Sequence, residues 1–261
     1  MPIRTRWDGE TVASCLRALE HGSSVQGVAT ATGVPAATIR TWTRGSIPAA
    51  GWRALAGGGS CERCGGPPHR FHDLADTRYA YVLGVYLGDG TIHTGERSTS
   101  LRIACDPKYP ALIDEMADAI GELRGRRPHV ALRRSCNCVV ITSYWKPWPC
   151  LFPQHGSGKK HRRPIVLEPW QLELVERDPR SLVRGLIQTD GWRGTNRVHV
   201  KGREYEYPRY QFSSRSDDIR RIFTDACDLL DVEWRRWGRW HISVARRDSV
   251  AKLDEFVGLK A

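Results

Sequence analysis

From residue 79 onward, apolar residues fall into two rhythms, one at helical spacing and one at every second position, and the order of the rhythms repeats. The first pass runs YAYVLGVYLGDG (79–90), strand-like TSLRIAC (99–105), helix-like ALIDEMADAIGELRG (111–125), then strand-like HVALRR (129–134) and CVVITS (138–143). The second runs SLVRGLIQTDG (181–191), strand-like NRVHVK (196–201) and PRYQFSS (208–214), and the helix SDDIRRIFTDACDLLDV (216–232). Strand-like HISVARR (241–247) and a closing helix, DSVAKLDEFVG (248–258), complete it. Ser216 followed by Asp217 and Asp218 is a sound helix start, because acids there meet the positive end of the dipole. The pattern predicts an α+β fold with two copies of one helix–strand–strand–helix unit, at 79–168 and 169–261.

The strands of the second copy alternate. Val198 and Val200 oppose Arg197, His199 and Lys201; Tyr210 and Phe212 oppose Arg209, Gln211 and Ser213; Trp240, Ile242 and Val244 oppose Arg239, His241 and Ser243. Period two sends the apolar set toward helices and leaves a polar, basic sheet face. Such a face is either a solvated exterior or a surface that lies in a DNA groove. Trp145, Trp148, Trp170, Trp192 and Trp234 are expected in the core.

Residues 9–47 read as short helices. In VQGVATATGVPAATIRTW (25–42), Ala29, Gly33 and Ile39 have the spacing of a helix-turn-helix, with Val25, Val28, Val34 and Trp42 completing an apolar set. The second helix would show Thr38, Arg40 and Thr41 to a major groove. Hence residues 1–47 are expected to form a DNA-binding domain. Residues 48–78, rich in Gly and Pro, read as a linker holding a small knuckle. In the knuckle, CERCGGPPHRFH, Cys61 and Cys64 have the spacing of a zinc site. His69 and His72 could complete it, as could Cys136 and Cys138; Cys150 and His155 are a weaker alternative.

Composition adds the partner. The net charge is +11, with nine basic and six acidic residues before residue 79 and 31 basic and 23 acidic after it. A basic surface spread over both parts attracts polyanions, nucleic acid first. A 40% hydrophobic fraction excludes wholesale disorder. No stretch is apolar long enough to span a membrane, and the eight scattered Cys suit reduced thiols. A cytoplasmic, nucleoid-associated protein is the expectation.

The two segments ending in Asp-Gly carry the chemistry. An Asp closing a helix meets the negative end of the dipole, and two such Asp would also repel each other. Gly84, Gly88 and Gly185 would let the two helices approach closely. A divalent cation would offset both penalties, and two acids sharing metal suffice for phosphodiester hydrolysis. VLGVYLGDG (82–90) and VRGLIQTDG (183–191) resemble the two signature helices of the LAGLIDADG homing endonucleases. That resemblance implies tandem pseudo-symmetric αββαββα repeats packed as a monomeric pseudo-dimer, with Asp89 and Asp190 as Mg²⁺ ligands. It implies cleavage of both strands of double-stranded DNA with short 3′ overhangs. It also points to the basic stretch GSGKKHRRPI (156–165) for an active-site Lys, Lys159 or Lys160; the matching place in the second copy holds Arg246 and Arg247. Gln188 stands where many relatives have an acid. A non-cleaving transcriptional regulator on the same fold is the rival expectation.

Overall fold

The computed structural model describes residues 7–44, 47–55, 61–66, 69, 71, 74–96, 98–135, 137–200 and 202–258. The chain divides into two compact units, residues 1–70 and 71–261.

The first unit is helical. Helix α1 (Gly9–Glu20) starts at Asp8, whose side chain accepts from the Thr11 amide at 2.9 Å. Helix α2 (Val25–Thr32) starts at Ser24 and ends at Gly33, which adopts the left-handed conformation, before α3 (Ala36–Thr43). Val12, Cys15, Leu16, Val28, Val34, Ile39 and Trp42 form its core. Part of the segment read as a linker forms a further helix, α4 (Ala49–Leu55). It packs closely on α1: a Cβ on Gly51 would lie 2.3 Å from a Val12 methyl. The α1 face bearing Val12 needs this cover, which Gly and Pro content did not reveal.

The second unit contains two repeats. The first comprises α5 (Asp76–Asp89), β1 (Gly90–Thr94), β2 (Thr99–Cys105), α6 (Pro110–Arg124), β3 (His129–Arg133) and β4 (Cys138–Tyr144). A connection follows through α7 (Trp148–Leu151), a tight turn at Lys160–Arg162 and α8 (Pro169–Arg177). The second repeat comprises α9 (Pro179–Asp190), β5 (Gly191–Val200), β6 (Arg203–Ser213), α10 (Asp217–Leu229), β7 (Arg235–Trp237) and β8 (His241–Val244), closed by α11 (Arg247–Asp254). The sheets are antiparallel with matching orders, β1-β2-β4-β3 and β5-β6-β8-β7. The α+β repeat expected from the hydrophobic pattern is present, with two edge strands that the pattern did not show. β1 has one strongly apolar side chain, Ile92, and β7 spans only three residues, so neither displays a period. The strand read through Arg247 stops at Val244, because Arg246 begins the turn into α11.

Helices α5 and α9 form the centre. Residues Tyr79 to Leu87 of α5 are all buried, because α9, α6 and the first sheet cover it from different sides. A Cβ on Gly84 would lie 2.5 Å from the Leu182 carbonyl oxygen, so only glycine permits this crossing. Buried polar groups are matched across the joint: the Tyr81 hydroxyl donates to Gln188 Oε1 at 2.7 Å, and Gln171 Nε2 donates to the Tyr79 hydroxyl at 2.6 Å.

Candidate functional site

The crossing sets the two acids side by side. Asp89 and Asp190 are the last residues of α5 and α9, and each is followed at once by the first strand of its sheet. A Cβ on Gly88 would lie 3.3 Å from Asp190 Oδ2, so the second acid passes close over the end of the first helix. The Thr189 hydroxyl donates to the Gly185 and Leu186 carbonyls at 2.9 and 3.0 Å, closing the last turn of α9.

Of the two lysines expected there, Lys160 is the one brought to the acids. Its Nζ donates to the carbonyls of Tyr86, Leu87 (3.1 Å) and Gly88 (2.8 Å) in the last turn of α5, where the Gly90 amide also donates to the Tyr86 carbonyl. Burial pushes its pKa down to about 8, opposed by the charges of Asp190 and Asp89. Lys159 is exposed. Each acid opens on its own cleft, and Lys160 lines both. A cleft of 440 Å³ holds Asp89 with His155 and Lys159; one of 220 Å³ holds Asp190 with His161, Ser214 and Arg215. Arg246, at the matching place in the second copy, pairs with Glu233 at the start of α11, and Arg215 lines the Asp190 cleft. The two carboxylates at the ends of the crossed helices offer hard oxygen donors of the kind that suit Mg²⁺. Gln188 is buried as a hydrogen-bond hub, its amide reaching Glu115 Oε2 at 3.3 Å and the Val257 carbonyl at 3.4 Å.

The register sorts the basic side chains into two groups. Directly opposed residues of an antiparallel pair share a face. Trp192 faces Gln211, Gly194 faces Arg209, and Gln211 faces Ser243, while Ser213 faces His241. Arg209, Gln211 and His241 therefore share the open face, as expected. Arg197 and His199 do not. They stand opposite Glu206 and Glu204, on the face that carries Tyr210 farther along, and pair with those acids at 2.8 and 3.4 Å. Val198, expected toward the core, takes the open face. The cause is the hairpin: pairing Val200 with Arg203 sets the parity of the whole ladder. Arg239 lies in the turn before β8, its guanidinium 5.5 Å from the Trp240 ring. Lys201 lies outside the described residues.

The open faces also hold residues that the alternation did not single out. In the first sheet, Arg102 pairs between Thr91 and Thr142, with His129 beyond Thr142 on the same face. The Nε atoms of Arg102 and Arg209 are buried with no hydrogen-bond partner among the described residues. Trp192, expected in the core, is 49% exposed on the open face of β5. Its place directly after Asp190-Gly191 is the signal that could have revealed it.

In the first unit, Arg40 and Thr41 are exposed on α3 and Thr38 is half-buried, while Ile39 and Trp42 fill the core. The knuckle brings Cys61 Sγ, Cys64 Sγ and a His69 ring nitrogen within 4.8 Å of one another. The Gly66 amide donates to Cys64 Sγ at 3.3 Å, the Gly65 amide to the Cys61 carbonyl at 2.7 Å, and Gly65 adopts a φ of +64°. Burial lowers the His69 pKa, favouring the neutral ring that a metal needs. Soft thiolates beside imidazole fit Zn²⁺. His72 and Cys136 lie outside the described residues, and Cys138 begins β4.

No protein-family model and no curated protein sequence matches the chain. Among solved structures, a mesophilic variant of the homing endonuclease I-DmoI is similar at 14% identity, over 70% of this chain and 97% of its own, with a TM-score of 0.47. The LAGLIDADG meganuclease I-AabMI, bound to uncleaved DNA, is similar at 11% identity over 68% and 82%, with a TM-score of 0.46. The N-terminal LAGLIDADG domain of DUF199/WhiA is similar at 12% identity over 70% and 82%, with a TM-score of 0.42. The second unit itself holds two like α+β repeats with matching sheet orders, and its crossed helices each end in Asp-Gly.

Proposed function

We propose that the chain is a site-specific, divalent-metal-dependent DNA endonuclease that acts as a monomeric pseudo-dimer. One observation carries this: Asp89 and Asp190 end two crossed helices, and Lys160 lines the clefts beside both. Asp89 and Asp190 would hold Mg²⁺, which supplies an activated water and neutralises charge on the phosphoryl oxygens. Lys160, its charge favoured by both acids and its Nζ held on the carbonyls at the end of α5, sets a positive charge beside the scissile phosphate that stabilises the developing negative charge. Arg209, Gln211 and His241 on one open face and Arg102 on the other contact bases and phosphates. Arg40, Thr41 and Thr38 on α3 extend the DNA read by the chain. The knuckle holds a structural Zn²⁺ on Cys61, Cys64 and His69.

The test is incubation of the full chain with a randomised duplex library and Mg²⁺, sequencing bound and cut fractions beside an Asp89→Asn, Asp190→Asn double variant. Cutting by the native chain, with binding but no cutting by the variant, supports the reading. Equal binding with no cut ends by either overturns it in favour of a DNA-binding regulator.

A further inference from the structure

All four large aromatic side chains exposed on the second sheet, among the described residues, stand on its open face: Trp192, Tyr205, Tyr207 and Trp237. The corresponding face of the first sheet exposes Tyr144 as its large aromatic side chain among the described residues. The rings lie against the sheet or one another. A Cβ on Gly194 would fall 1.8 Å from Trp192 Cζ2, so the indole occupies the space that a larger residue there would fill. Tyr205 and Tyr207 stack with ring centroids 6.4 Å apart, and Trp237 sits 5.5 Å from the His241 ring. Leaving four aromatic faces in contact with water forgoes the gain of burying them, and an exposed apolar patch of this kind marks a surface for a partner with apolar groups to cover it.

This surface is continuous with the polar residues of the same face. Trp192 is directly opposite Gln211, Gly194 is opposite Arg209, and Trp192 follows Asp190 by two positions. An occupant must therefore offer acceptors for Arg and Gln together with flat or compact apolar groups. A DNA major groove does so at A·T pairs, where thymine alone presents a methyl group.

We propose that the two repeats read DNA by different chemistry: the second packs Trp192, Tyr205, Tyr207 and Trp237 against thymine methyl groups, whereas the first relies on hydrogen bonds from Arg102 and its neighbours. This rests on the DNA-binding part of the reading above and goes beyond it, since it assigns base chemistry to one half-site.

The experiment selects duplexes with the full chain in metal-free buffer, then resynthesises a selected duplex with deoxyuridine in place of thymidine, one half at a time. Uracil in one half is expected to weaken binding about fourfold for each contacted methyl, the worth of one buried CH₂ group. Uracil in the other half leaves the Kd unchanged. Trp192→Ala is expected to erase the uracil penalty at the positions nearest the centre of the site, and Trp237→Ala at others; both residues are exposed, and circular dichroism checks folding. Uracil tolerated in both halves, equal penalties in both, or penalties untouched by both variants overturns the proposal while leaving DNA binding intact. Failure to select any duplex sequence overturns the DNA-binding reading as well.

Discussion

Gly84 and Gly185 meet backbone to backbone: a Cβ on Gly185 would lie 2.4 Å from the Tyr81 carbonyl oxygen and 3.1 Å from the Gly84 Cα. Neither neighbour is a side-chain tip that could swing aside. Gly185→Ala must therefore push α9 off α5, and overpacking of this kind costs about 1–3 kcal/mol. Thermal unfolding is expected to show a lowered Tm for Gly185→Ala. In Gly95→Ala, where a Cβ would meet nothing nearer than 3.6 Å, Tm stays close to that of the native chain. Because the crossing also sets the spacing of the two acids, Gly185→Ala should lose DNA cleavage more steeply than it loses stability.

Lys160 is expected to affect cleavage and not DNA affinity. Lys160→Met removes the ammonium that lines both clefts, and loss of one such donor typically lowers the rate by about 10²–10³-fold. Lys159→Met, at an exposed position, should lower it only slightly. Single-turnover cleavage alongside equilibrium binding separates the two effects. A pH signature belongs to Lys160 alone. Its folded pKa is near 8, below the 10.5 of an ordinary lysine, so below pH 8 both folded and unfolded chains carry the proton and the full cost of burial applies. As pH rises from 8 toward 10.5 the unfolded chain retains the proton longer, and stability rises. In metal-free buffer the native chain should gain stability over Lys160→Met across that window, as read from urea midpoints.

The acids were legible because each closes an apolar helix at a Gly, in matching places of a repeat. The faces of the second sheet were only half legible. Alternation along β5 correctly separates Arg197 from Val198, yet it cannot say which of them looks toward the core. That depends on the hairpin, which puts Arg197 opposite Glu206 and leaves Val198 and Trp192 on the open side. Lys159 and Lys160 are indistinguishable as neighbours in a basic run. Their difference arises from the turn at Lys160–Arg162, which directs one of them to the end of α5. β7 escaped because three residues carry no period, and α4 because packing on α1, not its own composition, defines it.

Asp254 supplies an acid-sensitive element away from the site. Its carboxylate takes two bonds from Arg193, at 2.7 and 2.8 Å, and one from the Tyr210 hydroxyl at 2.6 Å, tying α11 to the second sheet. The Arg193 bonds hold its pKa below the ordinary 3.8. A lowered carboxylate pKa adds stability that is present above 3.8 and lost as pH falls through the folded value. Both side chains are about one-third exposed, so the loss in Asp254→Asn at neutral pH is expected to be modest, on the order of 1 kcal/mol. Thermal unfolding at descending pH should show the native chain and Asp254→Asn converging below pH 3.8, with the difference constant above it.

The knuckle predicts a metal that has no part in cleavage. Cys61, Cys64 and His69 already converge, and the Gly66 amide donates to Cys64 Sγ, an arrangement that steadies a thiolate for a cation. The native chain grown with zinc is expected to carry about one zinc per molecule, the stoichiometry of a single site. Cobalt substituted for it should show the thiolate charge-transfer absorption of a sulfur-ligated ion. Cys61→Ser and Cys64→Ser should each lose the metal, and His69→Ala should bind it more weakly. A chelator strong enough to strip zinc is expected to lower the stability of the native chain and leave that of Cys61→Ser unchanged, because binding to the folded state alone is what couples metal to stability. With Mg²⁺ restored, zinc-free protein should still cut DNA. Loss of cleavage in step with zinc, at temperatures where the chain remains folded, would place the knuckle in the reaction instead of the scaffold.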